Sequence, residues 1–309
     1  MRRFFQFKEP IDPVVIAYQV IVIVLIFIFY QQIDHAIKQL LIHFGVIAFI
    51  FIVRWYSRPN LFSLFLNVWL PYLCIPINFS QLPDLIPSIQ TIDYDYLLIQ
   101  FDHFLFNGHP TVWLEQFYHP VFAELLVYIY ISFYFLPIIL IHRLNNRGKI
   151  EEAVYFKFIF FTGFYLSYLG YFSLPAIGPR FTLQQFQSFP IYGIWFTETI
   201  QHALNTLEQI NRDAFPSGHT MMTTLCAIYA WKYDRFLGKI YILLTVGMII
   251  ATVYLRYHYV IDVIAGLLFI GILYLFAPKL YRFIAGRLTN RWFLGSHKAT
   301  DILIDPYQK

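Results

Sequence analysis

Long apolar runs constrain this sequence more than any other feature. A helix needs about 20 mostly apolar residues to cross the hydrocarbon core of a bilayer. Charged residues make up only 13% of the 309 residues, against about 25% in a soluble globular domain. The chain is therefore expected to be an all-α, polytopic membrane helix bundle. The eight candidate spans are Val14–Tyr30, Ile37–Val53, Leu61–Phe79, Val121–Ile141, Val154–Leu174, Pro216–Trp231, Phe236–Leu255 and Val260–Ala277.

These spans divide the chain into three parts. Residues 1–60 hold two N-terminal transmembrane helices, residues 61–278 a catalytic core of six helices, and residues 279–309 a basic tail. The tail mixes Lys and Arg with large apolar side chains, which is typical of a segment that binds the membrane surface. Nucleic acid would attract similar residues, but a position directly after a span favours the bilayer. The membrane is thus an expected partner, nucleic acid is not, and the oligomeric state stays open.

An even number of spans places both termini on one side of the membrane. Eighteen Lys and Arg residues then fall on the side of the termini and four on the other. Because cytoplasmic loops carry the excess of Lys and Arg, the termini are predicted to be cytoplasmic. Three of the four outward residues lie beside polar motifs, which indicates a functional site facing the periplasm, the exterior or a lumen. The four are Lys38, Arg180, Arg212 and Arg256.

A histidine and an aspartate stand four residues apart at the start of the last span. On a helix, His258 and Asp262 would lie on one face, one turn apart. The aspartate could then accept a hydrogen bond from one ring nitrogen and leave the other nitrogen as a nucleophile with a lone pair. The alternative is a hydrogen bond that only holds two helices together.

The sequence Pro216-Ser217-Gly218-His219 opens the sixth span. Proline suits the first turn of a helix, and the N–H groups and hydroxyl that converge at this positive helix end favour an anion. Ser217 and Gly218 are therefore candidate phosphate-binding residues, and His219 could protonate a departing alkoxide. The alternative is a capped helix with an interfacial histidine. Two such motifs on one membrane face make catalysis the favoured interpretation.

Together these motifs resemble the superfamily of type-2 phosphatidic acid phosphatases and vanadium haloperoxidases. Its P-S-G-H sequence matches at residues 216–219, and the H-x3-D end of its S-R-x5-H-x3-D sequence matches at His258 and Asp262. The resemblance implies His258 as the nucleophile, Asp262 as its orienting partner and His219 as the acid for the leaving group.

Two departures from the superfamily pattern indicate a branch. The arginine expected six residues before the nucleophile falls on Thr252, while Arg256 stands two residues before it. The usual first motif is replaced by Gly178-Pro179-Arg180. With the R-Y-H-Y sequence around the nucleophile, these features resemble the inositol phosphorylceramide synthase branch. The resemblance implies that Arg180 and Arg256 bind phosphate oxygens. Arg212 is a third candidate, whose alternative is a salt bridge with Asp213 or a contact with a lipid headgroup.

The outward loop of residues 80–118 carries five acidic residues and no Lys or Arg. Its aromatic residues predict short interfacial helices, broken at Gly108-His109-Pro110. These helices either cover the lipid entrance of the site or lie at the interface without a role. No cluster of Cys, His, Asp and Glu has the spacing of a metal site, so neither a metal nor another cofactor is expected.

The favoured function is an integral-membrane lipid phosphatase or phosphotransferase that acts on a phospholipid or sphingolipid headgroup. The branch resemblance favours inositolphosphotransferase-like transfer to an alcohol over simple hydrolysis, which stays as the alternative. A third possibility is a non-enzymatic transporter, in which Arg180, His219 and His258 line an anion or lipid path. A transporter should bury ionisable groups near the bilayer midplane. These three residues lie at the ends of spans, which favours the enzyme.

Overall fold

The computed structural model describes residues 9–55, 61–208 and 212–289. They form helices and loops with no strand among them, which confirms the all-α prediction. The α-helices are α1 Asp12–Ile28, α2 Ala36–Trp55, α3 Leu61–Phe79, α4 Leu82–Ile89, α5 Asp95–Phe106, α6 Pro110–Trp113, α7 Pro120–Ser132, α8 Leu136–Asn146, α9 Ile150–Ser173, α10 Pro179–Thr182, α11 Thr197–Glu208, α12 Gly218–Tyr233, α13 Arg235–Tyr254 and α14 Val260–Thr289; two 3₁₀ turns lie at Leu114–Phe117 and Gln184–Phe186.

Four of these helices are long and apolar enough to cross a membrane. They are α2, α9, α13 and the part of α14 from Val260 to Gly286. The pair of α7 and α8 makes a fifth span if it is counted as one. Helices α1 and α12 are shorter, with 17 and 16 residues. The protein is therefore a multi-pass helical membrane bundle, but the predicted count of eight spans is not confirmed.

The predicted span Val121–Ile141 is divided into two helices. α7 and α8 meet at an angle of 52° across a short break. Pro137, in the first turn of α8, has no backbone N–H and cannot continue the hydrogen bonds of α7. The break leaves Tyr130 and Phe133, at the end of α7, in contact with the ring of His219.

Helix α9 is the central helix of the bundle. In its membrane-spanning window 67% of the residues are buried, the largest fraction among the four long helices. Two of its glycines permit close packing against α12. A Cβ at Gly163 would lie 2.6 Å from Cε of Met222, and a Cβ at Gly170 would collide with the ring of Pro216. Since Pro216 begins the P-S-G-H sequence, α9 supports that sequence from behind.

Polar side chains attach the N-terminal helices to this core. Gln19 of α1 donates to Asn78 of α3 at 2.9 Å and lies 2.6 Å from Nδ1 of His43 on α2. Asn78 also donates to the hydroxyl of Tyr165 on α9. Buried polar groups in a membrane must find partners inside the protein, because lipid offers none. Helices α1 and α2 therefore belong to the same packed bundle as the predicted core.

The loop of residues 80–118 forms short helices, as expected. α5 ends at Phe106 and α6 begins at Pro110, which confirms the predicted break at residues 108–110. The exposed face of α5 is apolar, with Phe104 84% exposed, whereas its opposite face buries Asp95 and Asp102. Helix α5 thus turns an aromatic face outward and two carboxylates inward.

A second buried carboxylate site orders the loop before α11. Glu124 of α7 accepts hydrogen bonds from the backbone N–H groups of residues 194–197 and from the hydroxyl of Thr197. A carboxylate suits the positive N-terminal end of a helix. Glu124 therefore joins α7 to the start of α11.

Candidate active site

The turn between α13 and α14 determines where the candidate nucleophile lies. Arg256 adopts the left-handed conformation, with φ 65, which costs a residue with a Cβ about 1–3 kcal/mol. The backbone N–H of His258 donates to the carbonyl of Thr252 at the end of α13, at 3.0 Å. His258 consequently lies before α14, while Asp262 lies in its first turn. The expectation that both residues share one helical face is therefore wrong.

The imidazole of His258 is held by a backbone carbonyl. Its Nδ1 lies 2.7 Å from the carbonyl oxygen of Ala214 and 3.6 Å from Oδ2 of Asp262. A carbonyl oxygen can only accept, so Nδ1 carries the proton and Nε2 keeps its lone pair. Burial lowers the pKa of His258, although Asp213 and the Ala214 carbonyl oppose this effect. Ala214, rather than Asp262, thus fixes the tautomer that a nucleophilic Nε2 requires.

Asp262 joins the two histidine motifs. Its Oδ2 accepts a hydrogen bond from the backbone N–H of Tyr259 at 2.8 Å, as the acidic residue of a capping box does. Its backbone carbonyl accepts from the N–H of Ser217 at 3.1 Å. The carboxylate is fully buried and 3.6 Å from the ring of His258. At that distance it contributes to the electrostatic potential at His258 without a direct hydrogen bond.

The P-S-G-H sequence forms the N-terminal end of α12, as predicted. Ser217 is the N-cap residue: its hydroxyl accepts from the N–H of Thr220 and donates to the Thr220 hydroxyl. A Cβ at Gly218 would lie 2.8 Å from the hydroxyl oxygen of Tyr171, and a Cβ at Gly266 would lie 2.8 Å from the carbonyl oxygen of Ser217. The hydroxyl of Ser217 therefore caps α12. Gly218 and Gly266 allow α9 and α14 to pack closely against the start of that helix.

The second histidine faces the first across a short gap. The rings of His219 and His258 have centroids 6.0 Å apart. Tyr130 stacks on His219 at 4.2 Å, and Phe133 contacts it at 4.4 Å. The Tyr130 hydroxyl lies 3.3 Å from Nδ1 of His219, but with the ring planes 26° apart it lies near the face of the imidazole. Stacking therefore orients His219 more than this long hydrogen bond does.

Arg180 lies beside the nucleophile segment. The preceding Gly178 has φ 98, a conformation that favours glycine, and a Cβ there would lie 3.0 Å from the carbonyl oxygen of Tyr257. The guanidinium carbon of Arg180 lies 5.5 Å from the centre of the Tyr257 ring. The G-P-R sequence thus lies next to Tyr257, the residue that precedes His258.

Arg256 has a different position from Arg180. It is only 4% exposed, and its terminal nitrogens donate to the side chains of Glu115 and Gln187 and to the carbonyl of Phe189. Burial lowers the pKa of its guanidinium, and Glu115 opposes this effect. The backbone does break beside Arg256, but its side chain holds the outward loops together. A phosphate-binding role for Arg256 would require a different set of hydrogen bonds.

Arg212 is paired with an aspartate. It makes two hydrogen bonds with the carboxylate of Asp93, at the start of the interfacial segment. A salt bridge was the alternative for Arg212, but its partner in the structure is Asp93, whereas the sequence pointed to the neighbouring Asp213. The residues brought together around the imidazole of His258 are thus His219, Asp262, the N-terminal end of α12 and the turn that carries Arg180.

Several residues of the site were not recognised from the sequence. Ala214 acts through its backbone carbonyl, so its side chain gives no indication of its role. Tyr130 belongs to an apolar helix and resembles any other core aromatic residue. Asp95 and Asp102 were assigned only to an acidic outward loop. Their spacing of seven residues, which places them on one face of a helix, was the available signal.

The side chains offer no ready metal site. Among residues 9–55, 61–208 and 212–289, no group of three or more His, Cys, Asp and Glu side chains is arranged to hold an ion. The predicted independence from metals stays a prediction, which activity in the presence of a chelator would test.

The comparison with known families agrees with this geometry. The profile of the PAP2 superfamily matches residues 97–276, more than half of the 309 residues. The match runs from α5 into α14 and includes Arg180, His219 and His258. The chain therefore belongs to the PAP2 superfamily, whose members are phosphatases and phosphotransferases. Searches of curated proteins and of solved structures found no match.

Close packing of α14 on the P-S-G-H sequence gives a testable prediction. We expect Gly266→Ala to push α14 away from Ser217 and to lower both turnover and thermal stability, because such overpacking costs about 1–3 kcal/mol. Gly271→Ala is the matched control, since a Cβ on Gly271 of the same helix has no heavy atom within 4 Å. Turnover of a phosphate ester and the unfolding temperature are measured for both. Equal behaviour of the two variants would show that the contact at Gly266 is unimportant.

Proposed function

We propose that this protein is a lipid phosphatase or phosphotransferase that uses His258 as its nucleophile. The observation that carries the proposal is the hydrogen bond from His258 Nδ1 to the carbonyl of Ala214, with the ring of His219 at 6.0 Å. The first feature leaves a lone pair on Nε2, and the second places a proton donor across the gap. Membership of the PAP2 superfamily supports phosphoryl chemistry at such a pair.

The first half of the proposed reaction forms a phosphohistidine. Nε2 of His258 attacks the phosphorus of the lipid headgroup and forms a P–N bond. The bond between phosphorus and the oxygen of the lipid alcohol breaks, and protonated His219 gives its proton to that oxygen. Burial lowers the pKa of His258, which keeps its ring neutral before the attack. His219 takes up its proton together with the anionic headgroup, because the negative charge of the phosphate favours the protonated ring.

The second half returns the enzyme to its starting state. The acceptor hydroxyl, from water or another alcohol, gives its proton to His219 and attacks the phosphorus. The P–N bond breaks, so that His258 is neutral again and His219 is protonated. Both halves therefore need only the two histidines for covalent and proton-transfer steps.

Charge on the transferring group is stabilised by neighbouring groups. The N-terminal end of α12, at Gly218, offers backbone N–H groups and the positive end of a helix of 16 residues. Arg180, which lies next to Tyr257, supplies a cation. Arginine suits this position because its planar guanidinium binds two phosphate oxygens at once.

The acceptor distinguishes the two enzymatic alternatives. The G-P-R and R-Y-H-Y sequences resemble the inositol phosphorylceramide synthase branch, so we favour inositolphosphotransferase-like transfer. A transferase must hold its second alcohol in line and exclude water. The burial of His258, which is 5% exposed, is consistent with a site that limits access of water. Simple hydrolysis is the alternative.

Transporter function is the third alternative. The candidate residues lie where α12 and α14 begin and where α9 and α13 end. Transporters place their ionisable residues near the middle of the membrane instead. The position of the two histidines at helix ends therefore favours an enzyme.

Replacement of His258 by alanine and replacement of His219 by alanine should affect turnover differently. We expect His258→Ala to abolish turnover, because no other group supplies the nucleophile. His219→Ala should retain activity towards esters with good leaving groups, which need little protonation. Turnover of p-nitrophenyl phosphate and of a lipid phosphate separates the two effects. His202→Ala, at an exposed position of α11, is the control. Normal turnover by purified His258→Ala would disprove the mechanism.

Acceptor dependence should identify the second half of the reaction. The purified protein is given a phospholipid labelled in its headgroup, with and without inositol, ceramide or diacylglycerol. We expect a labelled product that contains the added alcohol, because a transferase holds it in line with the P–N bond. Release of the headgroup to water alone, at a rate that no acceptor changes, would identify a phosphatase.

The site should face away from the cytoplasm. The distribution of basic residues supports this orientation. We expect cysteine in Gln185→Cys to react with an impermeant maleimide in intact cells, and cysteine in Asn145→Cys to react only after lysis. Both positions are exposed, and the native Cys74 and Cys226 are each 1% exposed, so they give little background. The opposite labelling pattern would reverse the orientation.

A further inference from the structure

The segment of residues 93–102 contacts the G-P-R turn, the segment from Tyr259 to Ile261 and the residues that lead to Ala214. Asp93 pairs with Arg212, in the segment that leads to Ala214. Asp95 binds the residues before Arg180 and the residue after His258. Asp102 accepts from the first two N–H groups of α14. An outward segment that the sequence assigned to the membrane interface therefore holds the site together.

Asp95 has the most unusual set of partners. Its Oδ2 accepts from the N–H of Ile177, and its Oδ1 accepts from the N–H of Gly178 and from the hydroxyl of Tyr259, all at 2.8 Å. The residue is 5% exposed. One carboxylate thus makes three short hydrogen bonds to two segments that are far apart in sequence.

These partners lie immediately beside the reacting groups. Gly178 stands two residues before Arg180, and Tyr259 directly follows His258. The same turn approaches the nucleophile segment on its other side, since a Cβ at Gly178 would lie 3.0 Å from the carbonyl of Tyr257. The separation of Arg180 from His258 is therefore set by the hydrogen bonds of Asp95, together with the one between the hydroxyls of Thr182 and Tyr259.

We propose that Asp95 is a positioning residue that fixes Arg180 relative to His258. This inference rests on the proposed function. A phosphoryl group must contact the cation and the nucleophile together, and groups that are already in place need no reorganisation as charge develops. A carboxylate suits this role because it accepts several hydrogen bonds at fixed angles and has no donor of its own.

Asp102 provides a matched comparison on the same helix. It is also buried on α5, at 2% exposure, and accepts two backbone hydrogen bonds, at 2.8 and 2.9 Å. Its partners belong only to the start of α14. If buried carboxylates of α5 merely stabilise the fold, then Asp95→Asn and Asp102→Asn should have similar effects. If Asp95 positions Arg180, only its variant should alter the binding of a phosphate analogue.

The experiment compares full-length Asp95→Asn, Asp102→Asn and Tyr259→Phe with the unaltered protein. Vanadate is the probe, and kcat, KM and the inhibition constant for vanadate are measured with one phosphate ester, together with the unfolding temperature. We expect Asp95→Asn to lower kcat by about 100-fold and to weaken vanadate inhibition by at least about tenfold, as expected when one charge-assisted contact is lost. Asp102→Asn should change the unfolding temperature more than vanadate inhibition.

Tyr259→Phe tests the link without a change of charge. It removes one hydroxyl and leaves the bonds of Asp95 to Ile177 and Gly178 in place. We expect a smaller fall in kcat, and a combined effect with Asp95→Asn that is less than the sum of the two, because both variants alter the hydrogen bond between Asp95 and Tyr259. Tyr259→Phe also removes the contact of this hydroxyl with Thr182.

The outcomes separate this inference from the proposed function. Folded Asp95→Asn with unaltered kcat and vanadate inhibition would overturn the positioning role alone. The same holds if Asp95→Asn and Asp102→Asn weaken vanadate inhibition equally, or if the effects of Asp95→Asn and Tyr259→Phe are additive. Absence of turnover in the unaltered protein, with every phosphate ester, would overturn the proposed function and the positioning role together.

Discussion

The hydrogen bond from His258 to the carbonyl of Ala214 is the interaction on which the rest of the site depends. It fixes the ring tautomer, and it does so through backbone atoms that are themselves held. The N–H of Ala214 donates to the carbonyl of Ala176, and the N–H of Ser217 donates to the carbonyl of Asp262. Three segments are thereby joined by main-chain hydrogen bonds. Such a frame positions the imidazole of His258 independently of the side chain at residue 214.

Buried carboxylates at the outward helix ends complete this frame. Asp95, Asp102 and Asp262 are each 5% exposed or less, and each accepts hydrogen bonds from backbone N–H groups. Burial of a charge is unfavourable unless such partners surround it. The partners here are N–H groups at the first turn of α14 and in the G-P-R turn. The carboxylates therefore accept hydrogen bonds from N–H groups at the ends of helices and loops, and they also set the distances between these ends.

Much of the fold could be predicted from apolar runs, because a bilayer fixes both the length and the polarity of a spanning helix. The predicted starts of the last span and of the sixth span agree with α14 and α12 within two residues. The span predicted from Val121 to Ile141 is bent by 52° before Pro137, and it counts as a span only if α7 and α8 are taken together. His258 and Asp262 do lie close together, at 3.6 Å, but not on one helical face, since α14 begins after His258 and the ring donates to Ala214 instead.

The sequence by itself determined the membrane class, the two histidines and the family, because these depend on composition and on short local motifs. Tertiary structure decided which partner each charged group has. Arg212 binds Asp93 from 119 residues away, and Tyr259 binds Asp95 from 164 residues away. Arg256 turns to Glu115, although its position in sequence pointed to the phosphate. The partner of a buried polar group depends on which segments the packed helices bring within about 3 Å of it. The number of residues between two positions in the sequence does not determine that distance.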